Sequence, residues 1–159
     1  MEEVGKRTCG KCTACCKTHA IPKINKPEGK WCGNCKIGKG CIIYLTRPKE
    51  CKDFRCEWLK GFGRKDTRPD LIKIVLDYQT NGLLKKLFTL WEVSKKALSS
   101  PFAKNMINFS LINKIPVCLI YCNGKKELFI PENLRLLKKV LKHLKQENIK
   151  LFVTKKAPR

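Results

Sequence analysis

No stretch of this 159-residue chain approaches the ~18 consecutive apolar residues of a membrane-spanning helix. The opening Met1 to Cys9 is charged and polar and lacks the apolar core of a secretory signal. The sequence therefore reads as soluble and cytoplasmic, without a membrane partner. GxGxxG, P-loop and HExxH motifs are all absent, so no nucleotide loop or zinc-protease helix is assigned and the catalytic residues stay unnamed. Acidic residues are scarce: 13 Asp and Glu face 35 Lys and Arg, for a formal charge of +22.

What is abundant is cysteine. Of 11 cysteines, nine lie between Cys9 and Cys56, so the thiol chemistry belongs to the first third. In a reducing compartment, dense cysteines signal metal ligands or redox thiols, and an odd total fits a disulfide framework poorly. The spacing is Cys9-x2-Cys12-x2-Cys15-Cys16, then Cys32-x2-Cys35, Cys41, Cys51 and Cys56. A Cys-x2-Cys turn brings two sulfurs within reach of one tetrahedral ion, ~2.3 Å from each. All nine are candidate metal ligands, enough for two four-cysteine centres with one spare or for a compact thiolate-bridged cluster. Zinc and an iron-sulfur cluster both accept such soft thiolates, and spacing does not choose between them. Cys15 and Cys16 are adjacent, so their side chains are expected to point apart and feed two sites. His19 is a substitute ligand, His143 a surface residue, and Cys118 and Cys122 apolar residues of a buried strand.

The positive charge raises nucleic acid as an alternative partner. Against it, the excess is spread along the chain and consists of 28 Lys but only 7 Arg, the pattern of a lysine-coated surface. That bias makes the arginines informative. Arg47, Arg55, Arg64 and Arg68 cluster around the last cysteines, where a planar guanidinium can brace the loop or hold an anion. Arg47-Pro48 is expected to direct the loop from Cys41 to Cys51.

Hydrophobic residues make up 43% of the chain, enough for a core. The expected division is a cysteine-cluster metal-binding module over 1–60 and an α+β scaffold over 61–159, packed as one compact unit. The first segment has little apolar periodicity and needs a metal to fold. Within it, Cys51 to Leu59 is expected to carry Phe54, Trp58 and Leu59 onto the second half. The scaffold reads as strand Leu71–Tyr78, a type I′ turn at Asn81-Gly82, and a returning strand Leu83–Trp91. Ser100-Pro101 then caps a helix. Strand Ile115–Cys122, a second turn at Asn123-Gly124, strand Glu127–Ile130 and a helix from Pro131 to about Glu147 follow. On that last helix Leu134, Leu137, Leu141 and Leu144, with Leu136 and Val140, form the apolar stripe. The expected fold is α+β, a mainly antiparallel sheet with helices on one face in ββα-ββα order.

The run CGKCTACC, Trp31-Cys32, and GCIIYLTRPKEC with Phe54, Cys56 and Trp58-Leu59 resembles the CxxCxxCC cysteine-cluster family of zinc- or iron-chelating proteins. Matching positions are Cys9, Cys12, Cys15, Cys16, Cys32, Cys41, Tyr44, Arg47, Pro48 and Cys51. Cys35 and Cys56 go beyond the shortest form of the motif. The resemblance implies metal chelation; a related cluster accompanies flagellin lysine methylases, which keeps a metal-dependent redox or modifying enzyme in view. The expected function is a cytoplasmic metal-binding protein. The alternatives are a zinc-ribbon-like RNA- or ribosome-binding module and such an enzyme. Protein partners are not specified by the sequence.

Overall fold

The computed structural model describes residues 7–132, 134–136 and 138–154, and within them the chain is α+β. The first part carries α1 (Cys15–Thr18), the two-residue strands β1 (Cys35–Lys36) and β2 (Gly40–Cys41), and α2 (Lys49–Asp53). The remainder runs α3 (Pro69–Ile72), β3 (Ile74–Gln79), β4 (Leu87–Glu92), α4 (Pro101–Ile112), β5 (Val117–Ile120), β6 (Lys126–Ile130), α5 (Lys138–Gln146) and β7 (Ile149–Val153). Among the described residues no helix is long and apolar enough to cross a membrane.

Strands β3 to β7 form one sheet in that spatial order, but the sheet is mixed instead of mainly antiparallel. Pairs β3/β4 and β5/β6 are antiparallel, while β4/β5 and β6/β7 are parallel. The reason is connectivity: α4 and α5 each carry the chain back along the sheet before the next strand starts, which makes the flanking strands parallel.

The helices lie on opposite faces, which corrects the expectation of one helical layer. Along β5, Val117 and Leu119 pack with Ala103, Met106, Ile107 and Leu111 of α4, whereas Cys118 and Ile120 pack with Val140 and Leu144 of α5. Chirality explains this. Both crossovers step the same way across the sheet, but the β5–β6 hairpin reverses strand direction between them. Two right-handed crossovers on strands of opposite direction must place their helices on opposite sides.

Local signals are followed unevenly. Ser100 caps α4, its side chain accepting from the Ala103 N–H at 3.3 Å, with Pro101 at the first position. The Asn81-Gly82 pair, in contrast, forms no type I′ turn. Strand pairing ends at Gln79↔Leu87, and neither Asn81 nor Gly82 has positive φ. Apolar pairs such as Leu76↔Leu90 and Tyr78↔Phe88 fix the register and override the local preference. Residues Pro69–Ile72, read as the start of a strand from Leu71, form α3 instead. Asn123-Gly124 does sit in a hairpin, with Gly124 at φ 84° and the loop closed by Tyr121 N–H to Lys125 O at 2.9 Å. α5 starts at Lys138, later than Pro131; Leu134 and Leu136 still pack against its cluster, Leu141 is exposed, and Leu137 lies outside the described residues.

The cysteine-rich segment sits on the sheet. Ala14 is buried with Val75 and Val93, and Cys12, Phe54, Cys56 and Trp91 complete the contact. Val75 pairs with Trp91, which pairs with Ile120, so this is the face that α5 covers further along. Glu57 fastens the segment to the outer side of β3. Its N–H donates to Leu76 O at 2.8 Å, and its Oε1 accepts from the Tyr78 N–H at 3.2 Å.

Candidate metal centre

Backbone turns gather the thiols. The Cys12 N–H donates to Cys9 O at 2.8 Å and the Cys35 N–H to Cys32 O at 3.0 Å, closing both Cys-x2-Cys turns. The Cys32 N–H reaches Cys16 O at 3.0 Å, which pins the second turn to α1. Across β1 and β2, Cys35 stands opposite Cys41. Pro48 opens α2, which carries Cys51.

The outcome is convergence. Cys9, Cys12, Cys15, Cys16, Cys32, Cys35, Cys41 and Cys51 line one cavity of about 440 Å³. Cys56 lines a small adjoining cavity together with Cys9, Cys12 and Cys15. Cys16 hydrogen-bonds to both Cys15 and Cys35, and Cys9 and Cys51 lie within its electrostatic reach. Cys56 is coupled to Cys9 and to Cys12. Cys15 and Cys16 both line the larger cavity, and Cys15 lines the smaller one as well. All 11 cysteines are free, and among the described residues no group of three or more Cys, His, Asp or Glu side chains is arranged to hold a metal ion.

Six of the thiols are held neutral by their surroundings. Hydrogen bonding with Cys15, then burial, raises the pKa of Cys16 far above the ordinary thiol range. Burial raises Cys12 and Cys35, each to about 11, and also lifts Cys9, Cys51 and Cys56. Neutral thiols are poor nucleophiles, which does not suit a reactive redox cysteine, and as metal ligands they have to give up their protons to the bound ion's charge.

Positive charge surrounds the sulfurs. Lys26 is 5% exposed, and its Nζ donates to Lys17 O at 2.7 Å and to His19 O. Burial lowers its pKa, while Cys32, Cys16, Cys15 and Cys51 pull the other way. Arg47 donates to Tyr44 O at 2.5 Å and stacks 3.8 Å from that ring; with Arg55 it draws the Cys9 pKa down against burial. Arg68 bonds Asp70 through two nitrogens at 2.6 and 2.9 Å, and Asp70 is hydrogen-bonded to Cys12. Arg64 pairs with Asp66 at 3.3 Å.

His19 lines the same cavity, its ring 4.0 Å from Phe54 and 4.6 Å from Trp91 by centroid, with Nδ1 2.7 Å from the Thr18 hydroxyl. Burial lowers its pKa to about 4, leaving a neutral imidazole that can serve as a nitrogen donor. Cys118 is buried in β5 as expected. Cys122 corrects the reading: it lies beyond the strand, partly exposed, with its thiol donating to Glu92 O at 3.2 Å.

Two contributors escaped sequence reasoning. Lys26 is chemically indistinct among 28 lysines, and only burial singles it out. Thr13, 3% exposed, accepts from the Gly38 N–H at 3.1 Å and hydrogen-bonds Cys35, tying the hairpin to the first turn. No family model, curated protein or solved structure matches this chain.

Proposed function

We propose that this protein chelates zinc or an iron-sulfur centre through its amino-terminal cysteines. The observation that carries the reading is the meeting of eight thiols at one cavity, in a segment with little apolar core of its own. Between residues 9 and 60, Ala14 and Ile21 are the buried hydrophobic residues, far too little apolar area to fold a segment of that length. Free thiols supply no crosslink, whereas bound ions do. Deprotonated ligands carry negative charge, and Lys26, Arg47 and Arg55 stand ready to offset it. The likeness to the CxxCxxCC family supports the same reading. Nucleic-acid binding gains less support, because exposed lysines are spread over α2 (Lys49, Lys52), α4 (Lys104) and α5 (Lys138, Lys139, Lys142, Lys145), with α4 and α5 on opposite faces of the sheet.

Elemental analysis and an optical spectrum of oxygen-free protein test the proposal. The expected result is zinc or iron at one equivalent or more per chain, lost in Cys16→Ser and retained in Cys118→Ser. Protein that carries neither metal as purified and takes up none from added zinc or from iron with sulfide refutes it. A colourless protein with stoichiometric zinc removes the iron-sulfur form.

A further inference from the structure

Beside the thiol cavity lies a more open groove of about 430 Å³, between Pro22–Ile24 and α2. Lys23, Arg47 and Lys52 surround apolar walls of Ile24, Ile43 and Pro48, and no carboxylate lines the groove. The fourth cation there, Lys49, is paired with Asp53. Among the described residues, no ion pair engages Lys23, Arg47 or Lys52. Arg47 is fixed in place by its bond to Tyr44 O and its stacking on the Tyr44 ring, so part of its donor fork is preset for a ligand.

We infer that this groove binds a small organic phosphate. Lys23 and Lys52, with no ion-pair partner among the described residues, meet Arg47 at one concave site and call for a multiply charged head group. A phosphate monoester carries ~1.5 to 2 negative charges at neutral pH and presents three acceptor oxygens. Arg47 can bond two of these in its planar geometry, while Lys23 and Lys52 act as point charges. A carboxylate, with a single charge, leaves two cations unanswered. The volume lies within the ~300–1,000 Å³ of small-molecule sites, and the walls of Ile24, Ile43 and Pro48 match an apolar body attached to the head group. Ile24, Ile43, Arg47, Pro48 and Lys52 line the thiol cavity as well, which places the ligand at its mouth. Binding itself does not depend on a metal being the occupant of that cavity.

Calorimetric titration of the purified full chain with phenyl phosphate, inorganic phosphate and benzoate tests this, with metal content measured on the same samples. Phenyl phosphate is expected to bind at least ~10-fold more tightly than either other probe. Lys23→Gln/Lys52→Gln, both at exposed positions, is expected to cost ~10-fold or more. Lys138→Gln/Lys142→Gln on α5 removes the same net charge elsewhere and is expected to change affinity by less than ~2-fold. Equal losses in the two double variants mean that only overall charge is sensed, and overturn the site. Benzoate binding as tightly as phenyl phosphate overturns the phosphate assignment, and absence of phenyl phosphate binding overturns the whole inference. Metal content is read by elemental analysis and phosphate affinity by calorimetry on the same samples, so failure of the groove and failure of the metal reading register in separate measurements.

Discussion

Acid should destabilise this protein through His19 in a window set by its surroundings. The ring is wedged between Phe54 and Trp91, and burial lowers its pKa from 6.5 to about 4; Asp77 raises it and Lys26 lowers it further. The unfolded chain therefore binds a proton below pH 6.5 that the folded chain refuses until about pH 4. Stability is complete above the unfolded value and declines as pH falls through this interval. At ~1.4 kcal/mol per pH unit the full loss is at most about 3 kcal/mol, of which about 2 kcal/mol has gone by pH 5. For a chain of this size that is ~4–8 °C in Tm. The assay compares thermal or urea unfolding at pH 7 and pH 5 for the unaltered protein and for His19→Asn, whose amide can keep the Thr18 contact. Metal content is measured in both proteins at each pH, so that the comparison is made at equal occupancy. The variant should lose less stability on acidification by about 2 kcal/mol. An identical loss in both proteins refutes the assignment of a neutral, partly buried His19.

Arg47→Lys should lower metal retention against a competing chelator more than Lys142→Arg on α5, because Lys cannot reproduce the planar stack on Tyr44 together with the bond to its carbonyl; equal retention contradicts a bracing role. Lys26→Met should weaken zinc affinity by ~10-fold or more, the scale of one charge interaction at an effective dielectric of ~20, as read by chelator competition. Unchanged affinity would show that this cation does not serve the sulfurs. Leu119→Ala, at a position 2% exposed between β4 and β6, should cost ~2–5 kcal/mol in urea unfolding without changing metal content. A simultaneous loss of metal would contradict the separation of core from cluster.

The sequence disclosed elements whose signals are local. Ser100-Pro101 places the start of α4 by capping chemistry, and the apolar run from Val117 to Ile120 marks a strand buried on both faces. Properties that depend on distant partners stayed hidden. β7 has the pattern Ile149, Lys150, Leu151, Phe152, Val153, too short and too close to a lysine-rich helix to announce a strand until Leu128 and Phe129 pair with it. The two helical faces follow from connectivity and handedness, and require the strand order first. Within the cysteine cluster, spacing pointed to nine candidate ligands, enough for two centres, but which thiols line the large cavity and which the smaller one at Cys56 is a matter of packing against Val75 and Leu59. Lys26 was illegible because its role comes from depth, not type.

The Glu57 attachment to β3 has a consequence for solubility. β3 is an edge strand, and Glu57 satisfies the Leu76 carbonyl and the Tyr78 N–H that would otherwise face outward. Exposed ladders of this kind are templates for pairing with another chain. Whatever loosens the cysteine segment also strips this cover and opens the sheet edge to aggregation; under the proposed metal-binding function, depleting metal or oxidising thiols would be one such perturbation.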